Sequence, residues 1–129
     1  MTDTSEKQLK ILVVDDEEDL RDIYTYRLEA DGFDVVAANG CGEAMKLATQ
    51  DPGDIAVILT DIMMPDGDGL ELVAYAVSHK IPVVIATAYA AKIAPQVPAH
   101  VQILSKPFDL DELSGALQTE IQRRENSRL

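Results

Sequence analysis

Lys10-Ile11-Leu12-Val13-Val14-Asp15-Asp16 is a Val- and Ile-rich apolar run that stops on two carboxylates. The run does not alternate with polar residues, so the strand it predicts must be covered on both faces. That is the condition of a parallel sheet clad by helices on both sides. Ile55–Leu59, Ile81–Ala86 and Val101–Leu104 share this character, and a further strand, Phe33–Ala38, follows the helix-stop pair Asp31-Gly32.

Helical periodicity fills the intervals. Leu20, Ile23, Tyr24, Arg27 and Leu28 recur at three and four residues, with Glu17 one turn before Arg21 as a supporting pair. Ala44, Leu47 and Ala48 predict a short second helix, and Leu70, Val73, Ala74 and Val77 a third. Leu110, Leu113, Leu117 and Ile121 predict the last, with Asp109 or Asp111 near its start and Arg123 and Arg124 near its end, the signs that the helix dipole favours. Tyr24, Tyr26 and Tyr75 read as packing residues of these helix faces. Pro95 and Pro98 interrupt the segment Ala88–Ala99, which therefore predicts one or two turns of helix and then irregular chain. Regular alternation of strand and helix predicts a doubly wound α/β domain over residues 9–124, with a flexible N-terminus (1–8) and a fraying tail (125–129).

Composition excludes several classes. The 129 residues are 47% apolar and carry 23 acidic against 11 basic side chains, a formal net charge of −12. Phosphates would be repelled, so nucleic acid and anionic membrane surfaces are poor partners, whereas cations and basic protein patches suit. No apolar run approaches the roughly 18–20 residues that span a bilayer. Met1–Lys10 lacks the apolar stretch of a signal peptide. Cys41 is the only cysteine, which rules out an internal disulfide and a cysteine-based zinc cluster and points to a reducing cytoplasm. Cys41 reads as a bystander, and His79 and His100 as solvated surface residues.

Each strand ends near a polar residue: Asp15-Asp16 after the first, Asp61 after Thr60, Thr87 after the fourth and Lys106 after the fifth. In a parallel sheet these ends share one edge, where ligands bind. Three carboxylates would crowd there, and two unit charges about 4 Å apart repel by about 4 kcal/mol at an effective dielectric of about 20. A hard divalent cation such as Mg²⁺ offsets that repulsion, and Lys106 adds a further positive charge. Asp61 sits centrally and has the chemistry of a nucleophile toward a phosphoryl group, forming an acyl phosphate. The Lys106 ammonium and the Thr87 hydroxyl would then stabilise the transferred oxygens.

Asp15-Asp16, Thr60-Asp61-Ile62-Met63-Met64-Pro65, Gly67-Asp68-Gly69-Leu70-Glu71-Leu72, Thr87-Ala88 and Lys106-Pro107-Phe108 together resemble the receiver domain of two-component response regulators over roughly residues 9–122. The resemblance implies a flavodoxin-like sheet in the order 2-1-3-4-5. It implies that Asp61 accepts a phosphoryl group from a histidine kinase or histidine phosphotransfer protein. Asp16 then resembles the direct ligand of Mg²⁺ or Mn²⁺, Asp15 the ligand that acts through water, and Met63 the position whose backbone carbonyl completes the metal site. Thr87 resembles the switch hydroxyl and Lys106 its lysine partner, with the Lys106–Pro107 bond cis. Phosphorylation would alter the surface of helix 4, strand 5 and helix 5 toward a downstream protein target, in a monomer or a weak phosphorylation-dependent dimer. Such a domain catalyses only its own phosphorylation and dephosphorylation and is no enzyme in the usual sense.

Two departures from the pattern stand out. Ile103 occupies a position where the family commonly carries Tyr or Phe, which leaves Tyr89 as the aromatic candidate for readout. The Thr87–Lys106 interval is short and broken by proline, as in a receiver with a reduced fourth helix. Three rival readings exist. A haloacid-dehalogenase-type phosphatase needs a second Asp two residues after its nucleophile, and position 63 is Met. A flavin module needs a phosphate loop where Asp15–Asp19 would repel the ligand. A receiver-like module excised from a larger regulator or hybrid kinase would act mainly by protein docking.

Overall fold

A computed structural model describes residues 8–127. Five strands, β1 (Lys10–Val14), β2 (Asp34–Ala38), β3 (Ile55–Thr60), β4 (Val83–Thr87) and β5 (Gln102–Ser105), form one sheet in the order β2-β1-β3-β4-β5. Every pairing is parallel. Helices α1 (Glu18–Ala30), α2 (Cys41–Gln50), α3 (Leu70–Ser78) and α4 (Ala90–Ile93) connect the strands, and α5 (Leu110–Ser127) follows the last. This is the doubly wound α/β architecture that the unbroken apolar runs imply.

The strand pleat explains why those runs are continuous. Ile11, Val13, Val57, Leu59, Val84 and Ala86 pack with Tyr24 and Leu28 of α1 and Leu113 and Leu117 of α5. Leu12, Val14, Ile58 and Ile85 point the other way, onto Ala44 and Ala48 of α2, Leu72 and Val73 of α3 and Ile93 of α4. All six residues of β3 are buried, and burying a side chain such as Ile58 or Leu59 contributes about 1.5–3 kcal/mol. The edge strands β2 and β5 are only partly covered.

Several local expectations need correction. Tyr24 is buried and stacks on Phe108, but Ile23 is 47% and Tyr26 79% exposed. The face of α1 toward the sheet follows Leu20, Tyr24 and Leu28 at intervals of four. Ile23 and Tyr26 are rotated off that stripe. Tyr75 does pack, against the ring of exposed His79, with centroids 4.0 Å apart. β4 starts at Val83 rather than Ile81, because Pro82 has no N–H for the ladder; its carbonyl still accepts the Ile58 N–H at 2.9 Å.

Helix α4 is a single turn followed by a 3₁₀ turn, Ala94–Gln96, that holds Pro95. At the start of α5, Asp109 accepts the Glu112 N–H at 2.7 Å and Glu112 accepts the Asp109 N–H at 3.3 Å, a reciprocal cap. The helix runs on to Ser127, so residues 125–127, expected to belong to a fraying tail, are helical. The expected flexible N-terminus lies outside the described residues except for Gln8, as do the last two residues of the tail. A small antiparallel hairpin, Met63–Met64 with Gly67–Asp68, follows β3 and was not foreseen. No helix of the described residues is long and apolar enough to cross a membrane.

Candidate functional site

Sheet register gathers the polar strand ends. Val14 of β1 pairs with Thr60 of β3, so the next residues, Asp15 and Asp61, come level at the carboxyl edge. The Asp61 N–H extends this ladder to the Val14 carbonyl at 3.1 Å, and the Asp15 N–H reaches the Ala38 carbonyl at 3.2 Å. Thr87 pairs with Ser105, immediately before Lys106. The Lys106 N–H donates to the Thr87 carbonyl at 2.8 Å, and the Lys106–Pro107 bond is cis.

The carboxylate oxygens of Asp15, Asp16 and Asp61 lie within 4.8 Å of one another. Lys106 Nζ donates to Asp61 Oδ2 at 2.9 Å and to Asp15 Oδ2 at 3.2 Å. Asp15 is 2%, Asp61 15% and Lys106 19% exposed at the side chain, so these charges meet in partial shelter from water. Burial by itself would lower the Lys106 ammonium, but its hydrogen bond to Asp61 and the charges of Asp61 and Asp15 hold it well above the ordinary lysine value.

The other oxygens are fixed by backbone. Asp61 Oδ1 accepts the Ile62 N–H at 2.7 Å, and Asp15 Oδ1 accepts the Glu17 N–H at 2.9 Å. Arg21 Nη1 donates to the Asp15 carbonyl at 2.8 Å. Asp16 is exposed, and among the described residues nothing pairs with its carboxylate. Three carboxylates and one ammonium leave a formal charge of −2, from −3 and +1, on one small oxygen-rich cluster. That donor set fits a hard divalent cation.

The remaining expected residues flank this cluster. Thr87 is fully buried and its Oγ1 accepts the Tyr89 N–H at 3.0 Å, while the Tyr89 ring is exposed. Ile103 stands in β5 in register with Ile85 and packs, half-buried, on the α4 side of the core. Met63 begins the hairpin with its side chain exposed. Beside the cluster a cleft of about 590 Å³ opens under the abbreviated α4, lined by Asp16, Met63, Pro65, Lys92, Ile93 and Gln96 among others.

Two contributors escaped the sequence reading. Asp66, in the turn of the hairpin, accepts the Cys41 N–H at 3.0 Å and the Gly42 N–H at 3.1 Å, and so caps α2 from outside that helix. The available signal was that Gly40-Cys41 offers α2 no capping side chain of its own. Gly69, read only as part of a turn and cap, is pressed against the backbone of Asp61: a Cβ there would stand 2.4 Å from the Asp61 carbonyl oxygen.

The model of the response regulator receiver domain matches residues 11–118. The chain belongs to that family. Response regulator protein PilR of Pseudomonas aeruginosa is 34% identical to this receiver over 120 residues, covering 89% of the chain and 26% of PilR. The alkaline phosphatase synthesis transcriptional regulatory protein PhoP of Bacillus subtilis is 31% identical over 121 residues, covering 90% of the chain and 50% of PhoP. The receiver thus spans only a part of these curated relatives. A crystal structure of a response regulator receiver domain protein from Clostridium thermocellum superimposes with a TM-score of 0.81 at 28% identity, covering 90% of this chain and 96% of that one.

Proposed function

We propose that this receiver is a phosphorylation switch of a two-component system, in which Asp61 takes a phosphoryl group from a phosphohistidine of a histidine kinase or phosphotransfer protein. A carboxylate oxygen of Asp61 forms the bond to phosphorus as the phosphorus–nitrogen bond to the donor imidazole breaks, giving an acyl phosphate. The observation that carries this reading is the pairing of one lysine, Lys106, with Asp61 at 2.9 Å and Asp15 at 3.2 Å inside a cluster of three carboxylates.

Family membership supports phospho-acceptance, and the residues present support the rest. Asp15, Asp16, Asp61 and the Met63 carbonyl are the groups that would hold Mg²⁺ or Mn²⁺. Bound there, the cation would supply Lewis-acid neutralisation of phosphoryl oxygens. Asp61 meets its donor preorganised, because one oxygen is held by the Ile62 N–H and the other by Lys106. The Lys106 ammonium is placed to follow the charge from carboxylate to phosphoryl oxygen. Thr87 stands one strand over, at the mouth of α4, so a shift of its hydroxyl toward the phosphoryl group would release the Tyr89 N–H and disturb the first turn of that helix. That couples the site to the surface formed by α4, β5 and α5, the face we assign to a downstream protein target.

The reading is tested by intact mass after incubation with acetyl phosphate and Mg²⁺, beside an EDTA control and Asp61→Asn. A single phosphoryl adduct that requires both the metal and Asp61 is the expected result. An adduct on Asp61→Asn would remove the nucleophile assignment, and an adduct undiminished by EDTA would remove the metal.

A further inference from the structure

The hairpin after Asp61 is tied to α2 by the carboxylate of Asp66. Helix α2 begins at Cys41, its N-cap Gly40 is extended at φ 179°, and no side chain of that segment caps it. Its first free amides are instead taken by a single carboxylate, that of Asp66, with one oxygen on Cys41 at 3.0 Å and the other on Gly42 at 3.1 Å. The neighbouring residues are shaped around this grip. A Cβ on Gly40 would come within 2.6 Å of the Asp66 carboxylate, so only glycine leaves it room. Gly67, at φ 154°, carries the hairpin backbone past Cys41, where a Cβ would lie 3.5 Å from the cysteine Cβ.

The segment from Asp61 to Gly69 is therefore pinned at both ends. At its base the Gly69 N–H donates to the Ile62 carbonyl at 2.7 Å, and at its tip Asp66 holds α2. Met63 lies on the strand between those two pins, paired with Asp68 across the hairpin. Freeing the tip leaves a two-residue ladder to hold Met63 in place, and so short a hairpin has little stability of its own.

We propose that Asp66 is a positioning residue for the metal site: by clamping the hairpin to α2 it holds the Met63 carbonyl where a divalent cation needs it. This rests on the metal reading above. Outer-shell partners of metal ligands are commonly worth about tenfold or more in affinity. The contrary view is that Asp66 merely caps α2, and a compensating variant separates the two. In Asp66→Ala the carboxylate that crowds Gly40 is gone. The extended backbone at Gly40 then accepts any residue, so Gly40→Asp in the Asp66→Ala background gives α2 a cap of its own without tethering the hairpin.

The experiment is calorimetric titration with MgCl₂ and thermal unfolding in EDTA for the wild type, Asp66→Ala and the double variant. The expected result is a Kd for Mg²⁺ raised about tenfold in Asp66→Ala, with a lower Tm. In the double variant the Tm should recover while the Kd stays raised. A Kd unchanged in Asp66→Ala, or one that recovers together with the Tm, would overturn the proposal. Should Asp66→Ala fail to fold, the double variant alone decides: a Kd raised about tenfold over the wild type supports the proposal, and a Kd at the wild-type value overturns it. Wild-type protein that binds no Mg²⁺ would instead remove the metal reading and this proposal with it.

Discussion

Replacing Gly69 by Ala should damage the proposed phosphorylation site at Asp61 without touching any of its charged groups. Gly69 has φ −61° and ψ −11°, a conformation that alanine adopts freely, so the backbone raises no objection. The objection is contact. The added methyl would meet the Asp61 carbonyl oxygen at 2.4 Å and the Ile62 Cα at 2.9 Å, both backbone atoms with no rotamer to turn away. Reaching ordinary contact requires a separation of about 1 Å more at the Asp61 carbonyl. Either α3 retreats, at an overpacking cost of about 1–3 kcal/mol, or Asp61 moves. A shift of about 1 Å in a reacting group costs on the order of 100-fold in rate.

The assay pairs thermal unfolding with the initial rate of phosphorylation by acetyl phosphate at saturating Mg²⁺. Gly115→Ala is the matched control, because a Cβ there meets nothing within 4 Å and Gly115 lies in the interior of α5. It should raise stability by about 0.5–1 kcal/mol. Gly69→Ala with both the Tm and the rate of the wild type would refute the reasoning.

Three further outcomes follow from the same geometry. Lys106→Met should cost the metal-free protein about 2–4 kcal/mol, since Asp15 and Asp61 are left without their shared ammonium, and added Mg²⁺ should raise the Tm of the variant more than that of the wild type. Because Lys106 is held above its ordinary value, its contribution is complete below the unfolded lysine value of about 10.4 and is lost as pH rises toward the higher folded one. The Tm gap between wild type and Lys106→Met should therefore narrow as pH rises above about 10.4. Hydrogen bonds from Gly42 and Cys41 hold the Asp66 carboxyl below its usual range, so its contribution is present above the unfolded value of about 3.9 and is lost as pH falls through the lower folded one; urea titrations should show the gap to Asp66→Asn closing in acid. Lys80 ends α3 at φ 58°, where the Ile81 N–H returns to the Ala76 carbonyl at 2.8 Å. Lys80→Gly relieves that left-handed backbone and should stabilise by about 0.5–1 kcal/mol in chemical denaturation.

The amino-acid sequence by itself determined the five strands, the parallel sheet and the edge on which Asp15, Asp16, Asp61, Thr87 and Lys106 stand. These are matters of short-range pattern: a continuous apolar run needs cover on both faces, and its last residue marks the carboxyl end wherever the strand lies. The proline-broken fourth helix was legible for the same reason, since Pro95 acts on its own turn. The choice between Tyr24 and Ile23 as the buried residue of α1 was not legible, because both fit a three-and-four spacing and only the position of β1, β3 and α5 selects one stripe. Nor was the Asp66 clamp, whose partners lie 24 and 25 residues away. A residue's local sequence sets which backbone it prefers and whether it seeks burial. Which distant donor meets which acceptor, and which glycine a carbonyl is pressed against, is decided only when the packed sheet and helices bring those atoms within hydrogen-bond reach.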